Sequence, residues 1–337
     1  MVTIYDIAKK ANVSAMTVSR VINNTGRISE KTRLKVQKVM EELHYVPNAT
    51  ARSLVLQRTM TLSLLITDIT NPFYTTVARG AEDAARENGY KLLLGNSDES
   101  VDKEREYIDT VLSTRVDGVL ITPSGDRSRP HLETLARHGI PFVILDREVP
   151  GIACDCVLGD SVGGARKLVD YLIGLGHRRI ALVNGSPEVS TARDRLAGYR
   201  QALAERGIGF DPAYVMESNY RPQDAEAAAE RLLSLSPSPT AVFAANNLLA
   251  LSLLQSLRKR GIGVPEELSI VTFDDFGYMS VLDPFFTLVA QPAYEFGRQG
   301  ISLLIERIEN RDAPPRRIVL PNELTTGRSV RPAAPSA

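Results

Sequence analysis

Val13-Ser14-Ala15-Met16-Thr17-Val18-Ser19-Arg20-Val21-Ile22-Asn23 is the stretch on which the reading of this chain turns. Ser14 is a helix N-cap, and Val18, Val21 and Ile22 fall on one face of the helix that follows. Ala15, Met16, Thr17, Ser19 and Arg20 then lie on or near its exposed early turns. Upstream, Thr3-Ile4-Tyr5-Asp6 has capping-box character, and Ile4, Ile7, Ala8 and Ala11 recur at i, i+3, i+4 and i+7, which makes a first helix with one buried stripe. Asn12-Val13 breaks the chain between the two. Beyond the polar loop Asn23-Asn24-Thr25-Gly26-Arg27, Ser29 caps a third helix whose Val36, Val39, Met40 and Leu43 repeat the pattern. Three short helices thus close a small core, with the second placed as the reading helix of a helix-turn-helix.

Helical spacing and a serine cap also suit an ordinary three-helix bundle. The exposed turns separate the two, because they carry short hydroxyls and one arginine and no acid, as entry into a major groove requires. Arg20 can bond guanine O6 and N7 bidentately, and Ala15 and Met16 can touch thymine methyls. Ser14, Thr17, Ser19, Asn23, Ser29 and Thr32 can reach phosphates. Charge agrees: residues 1–58 hold ten Lys and Arg against four acids, so that segment carries +6 and the remainder −6 of a formal net charge of zero. A basic module precedes an acidic body.

The chain is identified as a member of the lactose/galactose repressor (LacI/GalR) family. The resemblance rests on Val2-Thr3-Ile4-Tyr5-Asp6-Ile7-Ala8, on Val13-Ser14-x-x-Thr17-Val18-Ser19-Arg20-Val21-Ile22-Asn23, and on Tyr45-x-Pro47-Asn48-x-x-Ala51-Arg52-x-Leu54. It implies an effector-controlled, dimeric transcription regulator, with Arg27, Tyr45, Asn48, Ala51 and Leu54 joining the residues above as DNA contacts. Ala15 and Met16 stand where the lactose repressor has tyrosine and glutamine, so the operator is expected to differ. Residues 47–59 match the family's hinge. The nine residues 48–56 after Pro47 have an Asn48 cap and good helix formers but are too few to be helical alone, and the resemblance implies a helix formed when two copies pack in the minor groove, with Leu54 as the wedge. Folding coupled to binding would then provide the switch.

From Thr61 on, apolar runs alternate with helical stretches: 62–66, 92–94, 118–121, 142–145, 180–183, 241–244 and 270–273 read as strands, with helices near 75–88, 102–114, 161–175, 193–206, 222–234, 246–260 and 293–309. A length of 337 residues is about two domains' worth. The fold class is therefore α/β: a helix-turn-helix domain over 1–46, a hinge over 47–59 and a two-lobed core of parallel sheets over 60–330. The resemblance makes that core periplasmic-binding-protein-like, with lobe 1 near 60–158 and 290–318 and lobe 2 near 160–288 and 320–330. Residues 331–337 are expected to be a disordered tail.

Open α/β sheets bind ligands at the carboxyl ends of their strands. Asp146-Arg147, Asn246-Asn247 and Asp274-Asp275 follow apolar runs there. Each of these groups alone suits a helix N-cap, but together they point to one cleft. The resemblance assigns effector contacts to Phe73, Tyr74, Asp146, Arg147, Thr191, Arg195, Tyr220, Asn246 and Asp274. Carboxylate, amide and guanidinium groups beside aromatic rings suit vicinal hydroxyls and the apolar face of a sugar, so a carbohydrate or related polyol is expected. A purine is the alternative, against which Val189 stands where the family's purine repressor has a purine-contacting arginine.

No catalytic function is expected. The chain has no G-x-G-x-x-G after a strand, no phosphate loop and no H-E-x-x-H, and His44, His131, His138 and His177 are scattered. Cys154 and Cys156 read as core residues, and no metal or cofactor is expected. A solute-binding protein would share the body but not the basic module. No apolar run reaches the ~18 residues of a membrane span and no signal region is evident at the start, so a cytoplasmic protein is expected. The absence of a leucine heptad after the core favours a homodimer over a tetramer.

Overall fold

The computed structural model describes residues 2–23, 25–46, 58–219, 222–277, 280 and 282–334. Two compact units meet at the Met60/Thr61 boundary. In the first, α1 (Ile4–Ala11) begins at a complete capping box, in which Asp6 accepts from the Thr3 amide and hydroxyl at 2.8 Å each. α2 (Ala15–Asn23) starts at Ser14, whose Oγ accepts from the Thr17 amide at 3.1 Å. α3 (Glu30–Glu42) starts at Ser29, capping the Thr32 amide at 3.3 Å. Ile7, Ala8, Ala11, Val18, Val21, Val36 and Val39 form the buried centre of the three helices. The left-handed turns at Asn12 (φ 48°) and Gly26 (φ 70°) redirect the chain between them, at residue types that tolerate that backbone.

The second unit contains two six-stranded sheets. The first takes the order β11-β5-β4-β3-β1-β2, from β1 (Thr61–Ile66), β2 (Lys91–Asn96), β3 (Gly118–Ile121), β4 (Phe142–Leu145), β5 (Asp155–Gly159) and β11 (Arg317–Leu320). The second takes the order β12-β10-β9-β8-β6-β7, from β6 (Ile180–Asn184), β7 (Val215–Glu217), β8 (Ala241–Ala244), β9 (Ser269–Phe273), β10 (Thr287–Ala290) and β12 (Glu323–Thr325). Every pairing is parallel except that of β10 with β12.

Helices cover both faces: α4 (Pro72–Glu87), α5 (Val101–Thr114), α6 (Arg129–Arg137) and α11 (Ala293–Glu309) on the first sheet; α7 (Ser161–Gly174), α8 (Ser190–Glu205), α9 (Pro222–Ser234) and α10 (Asn247–Lys259) on the second. Burial on both faces is why the strands read as continuous apolar runs. In the second sheet Leu182 and Phe243 enter one core while their neighbours Val183, Val242 and Ala244 enter the other. Against the first sheet, α4 and α11 approach until backbone meets backbone. A Cβ on Gly297 would lie 2.1 Å from the Val77 carbonyl oxygen, and one on Gly80 2.1 Å from that of Tyr294.

The chain crosses between lobes three times, between β5 and α7, between β10 and α11, and between β11 and β12. Asn322 ties two crossings, donating to the Asp160 carbonyl at 2.7 Å and accepting from Lys167 Nζ at 2.8 Å. The tail needs a correction. Residues up to Ala334 are described, and the Arg331 carbonyl accepts from His177 Nε2 at 2.9 Å while the Ala333 amide donates to Leu175 at 2.9 Å. Proline- and alanine-rich composition suggested disorder, but backbone groups paired to a distant turn hold this segment; residues 335–337 lie outside the described residues.

Sequence reading also missed α6, β5, β7, β10 and the two short strands β11 and β12. Of these, β5 carries a buried acid, Asp155, that interrupts the apolar pattern; Arg307 donates to it at 2.9 Å and the Arg316 amide at 2.7 Å. Cys156 is buried in the core, Cys154 is half-buried beside it, and both are free. Burial pushes the Cys154 thiol up to about 12 and that of Cys156 to about 11, so neither is a ready nucleophile.

Candidate functional site

On the helical unit, Ser14, Met16, Arg20, Arg27 and Ser29 are exposed, and Thr17, Ser19, Thr32 and Tyr45 partly so. Met16 is 63% exposed, an unusual position for a methionine. Arg20 has no ion-pair partner among the described residues, and a Cβ added at Gly26 would lie 3.6 Å from its Cδ. Two expected contacts are placed differently. Ala15 is partly buried against the helical core, and Asn23 is buried, its amide donating to Ser19 Oγ at 3.2 Å. Ser14 and Ser29 spend their acceptors as caps, and their hydroxyls also share hydrogen bonds with Thr17 and Thr32. Tyr5 on α1 is 71% exposed. Asn48, Ala51 and Leu54, with the rest of 47–57, lie outside the described residues.

In the second unit, the strand ends of both lobes enclose a cavity of about 300 Å³. Phe73, Tyr74, Asp146, Arg147, Thr191, Arg195, Asn246 and Asp274 all line it; Tyr220 lies outside the described residues. Asp146 and Asp274 are counterparts. Each ends a central strand at φ 65°, and each donates its amide to the neighbouring strand at 2.8 Å, to Val157 and to Val289. Left-handed backbone at a non-glycine residue is uncommon and favours Asp, so the turn itself aims these two carboxylates into the cavity.

Around them the partners are specific. Tyr74 donates its hydroxyl to Asp146 Oδ2 at 3.0 Å, and burial raises the phenol well above its usual value, keeping it a donor. Its ring stands edge-on to Phe73, which in turn meets Phe296. Gln291 donates to Asp274 Oδ1 at 2.8 Å, yet burial outweighs that bond and the Arg195 charge, and the carboxyl is pushed up to about 6. Arg195 donates to the Ala245 carbonyl at 2.7 Å and lies 4.2 Å over the Phe273 ring. Asn246 caps α10 through its Oδ1, 2.8 Å from the Leu249 amide, leaving only its NH₂ for a ligand. Asp146 Oδ1, Arg147 Nε and Arg195 Nε are buried without a hydrogen-bond partner, and Arg147 Nε lies 3.8 Å from Asp146 Oδ2.

Sequence reading missed Asp68, Asn71, Asp98, Glu99, Asn219 and Leu248 in the lining. Asn71 is the most informative. It caps α4 through the Phe73 amide and accepts from Asn247 Nδ2 at 3.0 Å, a bond from one lobe to the other. Asn71-Pro72 at a helix start was a legible cap; its second partner was not.

Comparison with known proteins joins the two units. Residues 3–48 match the family described as bacterial regulatory proteins, lacI family, and residues 169–330 match the periplasmic binding protein-like domain. The HTH-type transcriptional regulator DegA of Bacillus subtilis (strain 168) is 37% identical over 332 residues, 98% of each chain. The chain belongs to the LacI family. It is a DNA-binding transcriptional regulator on that account, with regulators rather than enzymes as its relatives. The HTH-type transcriptional repressor PurR of Vibrio campbellii (strain ATCC BAA-1116) is 35% identical over 98% of this chain and 99% of its own.

Among solved structures, the complex of the transcriptional regulator CelR with cellobiose aligns with a TM-score of 0.73 at 32% identity, covering 98% of this chain and 100% of its own. The Lac repressor dimer bound to operator and the anti-inducer ONPF aligns with a TM-score of 0.84 at 26% identity, covering 98% and 99%. Among the described residues no helix is long and apolar enough to cross a membrane.

Proposed function

We propose that this LacI-family regulator represses a carbohydrate-utilisation operon, and that a sugar or related polyol bound between the two lobes releases it from a pseudo-palindromic operator. The observation that carries this reading is the lining of the cleft, where the Asp146 and Asp274 carboxylates and the Asn246 NH₂ stand with the Phe73 and Tyr74 rings. A hydroxyl both donates and accepts, so a polyol serves the carboxylates and the amide alike, while its apolar face suits the rings. CelR, solved with cellobiose, supports the same class.

The regulator acts as a homodimer. The edge strand β2 exposes Leu93 and Leu94 at 48% and 46%, which is unusual for an unpaired sheet edge and fits coverage by a second copy. Two-fold symmetry in the protein asks for two-fold symmetry in the operator. On the DNA side, Arg20 is proposed to read guanine and Met16 a thymine methyl, and the hinge role of Leu54 rests on its place in the sequence. The protein works in the cytoplasm, where its operator is.

A purine acting as corepressor is the second reading, favoured by the PurR relatives and by the paired aromatic rings. Against it, Val189 is a buried apolar residue at the start of α8. Thermal unfolding with a panel of sugars and purines, paired with operator binding, tests the choice. A sugar is expected to raise the midpoint and weaken operator binding. A purine that raises the midpoint where no sugar does reverses the assignment.

A further inference from the structure

Both guanidinium groups at the cavity are already engaged. Arg147 forms a fork with Glu99, Nη1 lying 2.5 Å from Oε2 and Nη2 2.6 Å from Oε1, and Nη1 also donates to the Pro123 carbonyl at 3.3 Å. Glu99 is held for that task by its backbone. It stands at φ 55°, directly after Asp98 at φ 51°, and its amide donates to the Thr67 carbonyl at 3.1 Å. Asp98 is pinned in turn by Lys103 and by the Asn96 amide. Both partners of the fork belong to the first lobe, one after β2 and the other after β4, so closure of the cleft is not needed to form it. Arg195 is spent on a carbonyl and on an aromatic face.

The lining therefore sets five carboxylates, of Asp68, Asp98, Glu99, Asp146 and Asp274, against two guanidiniums that have little left to offer an anion. We infer that Glu99 is a specificity residue: by occupying the Arg147 fork it admits uncharged polyhydroxy effectors and turns away phosphorylated or carboxylated ones. A phosphate or carboxylate only accepts hydrogen bonds. To bind Arg147 it must displace a bidentate carboxylate in a poorly solvated site and then sit among the remaining acids. A hydroxyl instead donates to the carboxylates of the lining and accepts from the Asn246 NH₂, leaving the fork intact. The inference rests on the polyol reading and narrows it to unphosphorylated members.

The full-length protein tests it by thermal unfolding at constant ionic strength. For wild type, glucose, ribose and cellobiose are each compared with their phosphomonoesters, and only the unphosphorylated partners are expected to raise the midpoint. A phosphomonoester that stabilises wild type more than its parent overturns the inference while leaving the polyol reading in place. A panel without any stabilising sugar in either form overturns the polyol reading instead, and inorganic phosphate then decides the role of Glu99.

Millimolar phosphate is expected to leave wild type at its chloride-matched midpoint, to raise that of Glu99→Gln by several degrees, and to lose this effect in Glu99→Gln/Arg147→Met. A folded Glu99→Gln protein that phosphate does not stabilise overturns the inference, as does phosphate stabilisation of wild type that vanishes with Arg147→Met. If Glu99→Gln does not fold, Glu99→Asp, which keeps the charge and shortens its reach, is expected to show a smaller gain, and its absence overturns the inference equally.

Discussion

Arg20 of the helical unit and Arg147 of the two-sheet unit are treated in opposite ways. Arg20 stands exposed and unpaired among the described residues, whereas Arg147 is buried and forked onto Glu99. Burial and the Glu99 charge act against each other on Arg147. Desolvation alone would lower its pKa, but the carboxylate beside it holds it well above the usual value. The contrast is functional. A group that must neutralise a phosphate or read a base edge is kept free in water, where releasing counterions rewards the contact. A group that must tell one small molecule from another is desolvated and partnered in advance, so that a wrong charge finds no vacancy.

The severest way to break the contrast is to loosen the frame that buries the second set while leaving the first untouched. Gly297→Val places side-chain atoms where the Val77 carbonyl of α4 already lies, and is expected to cost at least about 3 kcal/mol in denaturant unfolding of the body. A cost below about 1 kcal/mol would show that the α4–α11 approach is not what holds the cleft wall.

A smaller effect sharpens the electrostatic half. The Asp274 carboxyl, at about 6 against an ordinary 3.8, is protonated in the folded protein and ionised in the unfolded one between those values. Folding then binds a proton, so the stability this group contributes is lost as pH rises through about 6. In ligand-free protein, Asp274→Asn is therefore expected to stabilise by about 2–3 kcal/mol near neutral pH, the gain shrinking as pH falls towards 4. A gain that stays constant across that range would remove the burial penalty from the account.

Smallest is the effect on the head. Arg20→Ala is expected to weaken operator binding by about 1–3 kcal/mol and to relax the preference for a guanine in each half-site. Equal weakening on every duplex, seen in titrations against operator and scrambled DNA, would reduce Arg20 to a phosphate contact.

How much of this could be read in advance follows from how local each determinant is. The helix starts at Thr3, Ser14, Ser29 and Asn246 were legible because a cap and the amides it satisfies lie within three residues. Strand ends at Asp146 and Asp274 were legible because an acid follows an apolar run. The burial of Asn23 was not, since a polar residue ending a reading helix looks the same whether it faces solvent or turns back onto Ser19. Nor was the docking of Arg331 and Ala333 onto the turn carrying Leu175 and His177, which no local pattern announces.

Periodicity, capping and the uneven charge were enough by themselves to settle a basic helix-turn-helix ahead of an α/β body, because each is written within one or two turns of chain. The tertiary structure alone decided which charges cancel. Glu99 and Arg147 are 48 residues apart and Asp155 and Arg307 are 152 apart, and only the winding of the sheets brings each pair within hydrogen-bonding reach in a site dry enough for the pairing to matter.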